Sequence, residues 1–410
     1  MRSTRNRITF IALLAGTLAV STTFGMLLLL PLYIKEKLGG TEADFGLISA
    51  AGAITAAIAI GILIRYPRRI PPHFILAITA AIYAAAAFSV SLTHTFAWPL
   101  IVLGLVLGTA WAVAYTSAPM VASELSDNET RSKNIGYVTG MVQIGFGAGP
   151  LLGDLLIHQG LSFSGIFRVA AVLSLLAALV VFPLHFRSPE LRPRGVADSE
   201  PPLGPALMAI LRSRAAIPLL TILLCACLFT TMNSFQTTFA ASRGLSFGIF
   251  YACYTLAVIF ARFVLAPLLR DSGSPRILAI ASSGIVVSIL LFIWVGRSGY
   301  LYGVASVALG VTYGLTLPAL QGGAVNASAD NNRLRILPIA GLLFEVAILA
   351  FPLASGEIIT RAGYTVVFIV LLVFAVAIAG LGARLFMSGA DTRPARIAPA
   401  TAGVSQSKPD

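Results

Sequence analysis

The sequence predicts an all-α polytopic membrane protein, with twelve transmembrane helices arranged as two pseudo-symmetric six-helix bundles. Three observations predict it. Of the 410 residues, 57% are hydrophobic and 11% are charged, whereas a soluble chain carries about 25% charged residues. The apolar residues gather into runs near the ~20 residues that a helix needs to cross a bilayer. The basic residues lie in the connections between those runs, and mostly in alternate ones.

Taken in order, the runs cover 8–34, 44–65, 73–94, 97–123, 133–158, 164–186, 216–242, 245–270, 276–296, 299–326, 334–360 and 363–387. The first is too long for a signal-peptide core and lacks a cleavage-like end, so it reads as a retained span. All are too long and too continuously apolar for the strands of a barrel. Helices remain, because backbone groups in lipid must be satisfied within the segment. A Pro-rich, charged connection from about Phe186 to Arg214 divides six spans from six. The domains expected are residues 1–186 as the first bundle, 187–215 as a cytoplasmic central loop, 216–387 as the second bundle, and 388–410 as a disordered cytoplasmic tail.

The net charge of +12 reads as topology. With the N-terminus inside, 21 of the 28 basic residues fall in inner segments, among them Arg2, Arg65, Arg131, Lys133, Arg333 and Arg335. Six fall outside, and Arg262 lies within a span. The positive-inside rule then puts both termini in the cytoplasm, for which a bacterial plasma (inner) membrane is the expected location. No basic stripe interleaved with aromatics indicates a nucleic-acid partner.

The halves resemble each other. At an offset of 202 residues, Arg131 and Lys133 fall on Arg333 and Arg335, Pro150 falls on Pro352, and Gln143 falls on Glu345. A repeated six-helix half suggests a transporter with its site between the repeats.

Span 5 carries Gly145-Phe-Gly-Ala-Gly149-Pro150-Leu-Leu-Gly153-Asp154. Gly145, Gly149 and Gly153 share one helix face, where small residues let a neighbouring helix approach. Pro150 removes a backbone hydrogen bond and permits a bend. This stretch resembles the glycine-proline motif of exporters in the major facilitator superfamily, and the resemblance extends over essentially the whole chain. Asn128-Glu-Thr-Arg131-Ser-Lys133-Asn-Ile-Gly136 and Tyr313-Gly-Leu-Thr-Leu-Pro318 are similar to family patterns before span 5 and in span 10. The resemblance implies two bundles rocking about a central cavity. Two departures stand beside it. The connection after span 2 reads Gly61-Ile-Leu-Ile-Arg65-Tyr-Pro67-Arg68-Arg69, without the Asp and second Gly of the family pattern. Span 4 carries no Arg in Gly104-Leu-Val-Leu-Gly108, where many proton-coupled members have one.

Glu345 lies near the middle of the otherwise uncharged run Ile336–Ser355. A charge at that depth costs roughly 2.5–3.5 kcal/mol on insertion scales and marks function by default. Glu345 is therefore the leading candidate to exchange a proton or attract a cationic substrate; the bland alternative is a protonated carboxyl bonded to a neighbouring helix. Asp154 is second, as an outer-vestibule residue or a cap on the helix bend. Arg262 either snorkels to the inner interface or faces an anionic substrate or a carboxylate. In span 7, Thr230, Asn233 and Thr237 share a face with Gln236 beside it, for cavity lining or for packing. Tyr115, Gln143, Tyr313 and Gln321 are further candidate wall residues, and Trp111 reads as packing.

Several classes are excluded. There is no phosphate-cradling Gly-Lys-Ser/Thr loop for a nucleotide, and no nucleophile–base constellation for an enzyme. Cys225, Cys227 and Cys253 lie inside apolar runs, and His73, His94, His158 and His185 are scattered at run ends, so neither disulfides nor a metal site is expected. The expectation is a monomeric secondary transporter without cofactors, exporting a small molecule in exchange for protons, with uptake or facilitated diffusion as the alternative. A non-transport polytopic protein would need a catalytic cluster at a membrane face, and the sequence shows none.

Overall fold

A computed structural model describes residues 2–65, 72–126, 131–183, 212–269, 275–327 and 333–387. The expected central loop up to residue 211, the tail 388–410, and the loop residues Arg68, Arg69, Asn128 and Asp271 lie outside the described residues.

The described chain is helix joined by short connections. Span 1 is two helices, α1 (Arg2–Leu27) and α2 (Leu30–Lys37). Spans 2 to 6 follow as α3 (Glu42–Arg65), α4 (Pro72–Ser91), α5 (Trp98–Glu124), α6 (Arg131–His158) and α7 (Phe163–Val181). Span 7 is again two helices, α8 (Ala216–Ser234) and α9 (Gln236–Arg243). Span 8 runs through α10 (Phe247–Phe260), a π-helical turn (Ala261–Leu265) and α11 (Ala266–Leu268). Spans 9 and 10 are α12 (Pro275–Trp294) and α13 (Gly299–Asn326), and α14 (Arg333–Met387) completes the chain.

Eleven stretches are long and apolar enough to cross a membrane, and the last covers 47 residues, Ile339–Leu385. Gly363 interrupts it with a φ of 82° that no other residue type adopts cheaply. The two runs expected at 334–360 and 363–387 meet there, so one continuous assignment holds two spans.

The sequence runs did not anticipate the other interruptions. Pro31 has no N–H to offer the carbonyl of Leu27, and α1 ends at that carbonyl. Span 7 breaks at Phe235, whose ring packs edge-on to Phe45 with centroids 5.6 Å apart. Both breaks lie toward the face away from the N-terminus, called here the far face.

Within the first half, span 1 packs on spans 5 and 6, span 4 on spans 2 and 3, and span 3 on span 6. The second half repeats part of that scheme, with span 10 packed on spans 8 and 9. Across the halves, α14 lies along span 2, span 8 along span 5, and α9 against α2. The glycine face of span 5 packs inside its own half. A Cβ on Gly149 would collide with the backbone of Thr22, Gly25 and Met26 in span 1. Apolar stripes such as Ile54, Ile58 and Ile62 are left exposed at 64%, 58% and 55%, as befits a lipid-facing surface.

Candidate functional site

A cavity of about 350 Å³ lies between spans 5, 8 and 10 on the side of the N-terminal face. Each helix contributes one face: Gly136, Thr139, Gly140 and Gln143; Ile259, Arg262, Phe263 and Ala266; and Gly314, Leu315, Pro318 and Ala319. The spacings of i, i+3, i+4 and i+7 in spans 5 and 8 are those of a single helix stripe. Gly136 and Phe263 on its wall are exposed, so the cavity communicates with the outside at that face. Arg262 is the one charged side chain among the lining residues, and it sits in the π-helical turn. A π-turn shifts the helix register and is found disproportionately at functional sites.

Deeper in the protein, several polar side chains are buried without partners. Glu345 is 4% exposed, and its Oε2 accepts no hydrogen bond. The Nε of Arg262, the hydroxyls of Tyr254 and Tyr313, the indole N–H of Trp111 and the Oδ1 of Asn233 are equally unsatisfied. Tyr115 lies within electrostatic range of both Glu345 and Arg262. Tyr313 in turn senses Arg262, Tyr115 and Tyr254. Glu345 and Arg262 thus both act on the same tyrosine at a distance, with no bond to each other. Counted along their helices at 1.5 Å per residue, Arg262 lies about 10 Å from the end of its helix at the N-terminal face and Glu345 about 18 Å. Glu345 is therefore near mid-depth of a ~30 Å hydrocarbon core.

An aromatic run crosses this centre from one half to the other. Tyr115 packs against Trp111 at 5.6 Å, and Trp111 stacks on Phe24 at 3.9 Å. Phe24 meets Phe146 at 5.4 Å, and Phe146 meets Phe229 at 5.5 Å. Phe229 stacks on Tyr313 at 5.2 Å and also touches Phe344 at 5.9 Å, one residue before Glu345. Among these rings the sequence marked Tyr115 and Tyr313 and read Trp111 as packing; it gave no signal for Phe24, Phe146 or Phe229, which look like any apolar residue in a span.

The far ends of the halves are joined. The Tyr364 hydroxyl donates to Glu42 at 2.8 Å, and Glu42 also accepts from Lys35 at 2.5 Å. The Ala43 N–H donates to Thr360 at 3.1 Å, and Ser49 donates to the Leu349 carbonyl at 2.8 Å. Thr237 donates to the Leu28 carbonyl at 3.4 Å. On the other side Ser246, the N-cap of span 8, donates to Asp154 at 2.9 Å.

This placement corrects several expectations. Asp154, expected as an outer-vestibule residue or a cap on the helix bend, lies in the far-face seam, where Ser246 holds its carboxylate and His158 lies 3.8 Å away. Gln236 does not line the cavity: it is 1% exposed, accepts from Tyr302 at 2.8 Å and contacts the Met232 sulfur at 3.8 Å, toward the far face. Asn233 is turned into its own helix, donating to the Phe229 carbonyl at 2.9 Å. Gln321 lies just past Pro318, half-buried and outside the lining. Arg262 and Gln143 do face the cavity. Tyr115 and Tyr313 lie in the cluster beyond it. Gly145, Gly149 and Gly153 turn to span 1, while Gly147 between them abuts Thr255 of span 8, in the other half.

The profile of the Major Facilitator Superfamily matches residues 11–333. The chain belongs to that superfamily. Its fold is shared with solved members at low identity. A POT family transporter in complex with 5-aminolevulinic acid aligns with a TM-score of 0.74 at 15% identity, covering 92% of this chain and 96% of that one. The nucleoside transporter NupG aligns at 0.70 and 17%, covering 93% and 98%. A bacterial homolog of the human lysosomal transporter Spinster, in an inward-facing and unoccupied conformation, aligns at 0.68 and 16%, covering 97% and 99%. A comparison with curated proteins finds no match. Superfamily membership and fold make this chain an integral membrane transporter of small molecules rather than an enzyme.

Proposed function

We propose that this superfamily member is a secondary active transporter that exports a small molecule from the cytoplasm by alternating access, in antiport with protons. Its two six-helix bundles rock about the central cavity, with both termini in the cytoplasm of a bacterial cell and the monomer as the working unit. The observation that carries the reading is Glu345: a carboxyl at mid-depth, buried and unpartnered among the described residues. A buried acid without a partner is a group whose charge state a proton or a substrate can set. In this orientation the cavity opens to the cytoplasm and the hydroxyl seam closes the outside, a conformation that loads substrate from within. The likeness of span 5 to the glycine-proline stretch of exporters supports the direction.

The test is flux in proteoliposomes under an imposed pH gradient, run across a chemical library. Glu345→Gln is expected to abolish gradient-driven flux while leaving solute exchange at zero gradient. A variant that responds to the gradient as the parent does would sink the role of Glu345. Net accumulation toward the N-terminal face would replace export by uptake.

A further inference from the structure

The cavity has a definite chemical preference. Arg262 is the one charge among its lining residues, and no ion pair or hydrogen bond engages its Nε. Glu345 shares Tyr115 with it, but the two are not bonded, so the guanidinium is not neutralised in place. Holding an unpaired guanidinium inside a span is costly, and a ligand that pairs with it recovers that cost.

No carboxylate is among the lining residues, and the polar side chains beside Arg262, Thr139 and Gln143, can both donate. The walls nearest Arg262 are small, with Gly136, Gly140 and Gly314. The ring of Phe263 and the side chains of Ile259, Leu315 and Pro318 supply an apolar wall. The volume, about 350 Å³, is at the small end of ligand pockets.

We propose that the substrate is a small organic acid with a planar or aromatic body, whose anionic group is held by Arg262 and whose ring lies against Phe263. This rests on the reading of the cavity as the substrate site, and it is independent of transport direction and of proton coupling. Arg262 acts here as a specificity residue that touches the substrate.

The test is equilibrium binding to the purified full chain, with radiolabelled 3-phenylpropionate as probe and its uncharged alcohol and cationic amine as competitors. The acid is expected to bind saturably and to outcompete alcohol and amine by about tenfold or more, the scale of one charge-assisted contact. Arg262→Gln is expected to remove that margin while alcohol binding persists, which shows that the variant is folded. Arg262→Lys is expected to restore part of it, as a point charge without the planar fork. Equal binding of acid, alcohol and amine, or unchanged acid binding in Arg262→Gln, overturns the anion preference and leaves the cavity as the site. No saturable binding of any of the three overturns the site as well.

Discussion

Replacing Tyr364 by Phe removes one hydroxyl from the far-face seam and nothing else of size. That hydroxyl donates to the Glu42 carboxylate across the two halves at 2.8 Å. Glu42 keeps its other partner, Lys35, which belongs to its own half. A hydrogen bond to a charged group contributes roughly 1.5–3 kcal/mol, and each 1.4 kcal/mol is about tenfold in an equilibrium. The far-open population is therefore expected to rise roughly 10- to 100-fold. The assay is labelling of a cysteine introduced at Leu28, which is 5% exposed behind the seam, in a background lacking Cys225, Cys227 and Cys253. A membrane-impermeant maleimide added on the far side reports the open fraction, and its rate should rise by the same factor. Lys35→Gln, which weakens a bond inside one half, should move the rate far less. Equal rates in Tyr364→Phe and the parent would show that this bond does not hold the far face shut.

The remaining predictions concern the other supports of the fold. Ser246→Ala removes the partner of Asp154 on the opposite side of the seam; its effect on the same labelling rate should add to that of Tyr364→Phe, since separate sites without shared partners are additive. Gly149→Val should lower yield and thermal stability, because its side chain would enter the backbone of span 1; overpacking of this kind costs about 1–3 kcal/mol or more, and a variant as stable as the parent would disprove the close approach. The native thiols offer a simple check: buried Cys225 should react with maleimide more slowly than half-buried Cys253 in folded protein, with the difference gone after denaturation.

The span pattern was legible because bilayer thickness imposes one length on every helix and lipid imposes one polarity. Positions inside a span were legible only where chemistry departs from that monotone. Glu345 and Arg262 stood out as charges among apolar residues. Gln236 and Asn233 stood out too, and there the signal misled: a polar side chain in a span is equally well a bond to the next helix, as Tyr302 shows for Gln236. Asp154 was read from its depth in the sequence, but its role is set by Ser246, 92 residues away, which no local pattern reveals. The central phenylalanines carry no local mark at all. Pro31 did mark the break in span 1, and the length of the run concealed it. The π-turn at Arg262 has a comparable residue in Pro267, which has no N–H for the Phe263 carbonyl; the break at Phe235 has none.

The far-face seam has a chemical character of its own. Among the described residues, each of five bonds joining the halves there involves a hydroxyl: Tyr364, Ser49, Ser246 and Thr237 donate, and Thr360 accepts. None of the five joins opposite charges, so dissolved ions have little to screen. Conducting the same cycle in dilute or brackish surroundings would then need no retuning of the gate. A closure divided into separate hydroxyl contacts can also be undone one contact at a time, without a single high barrier, which suits a protein whose two conformations must both be visited in every turnover.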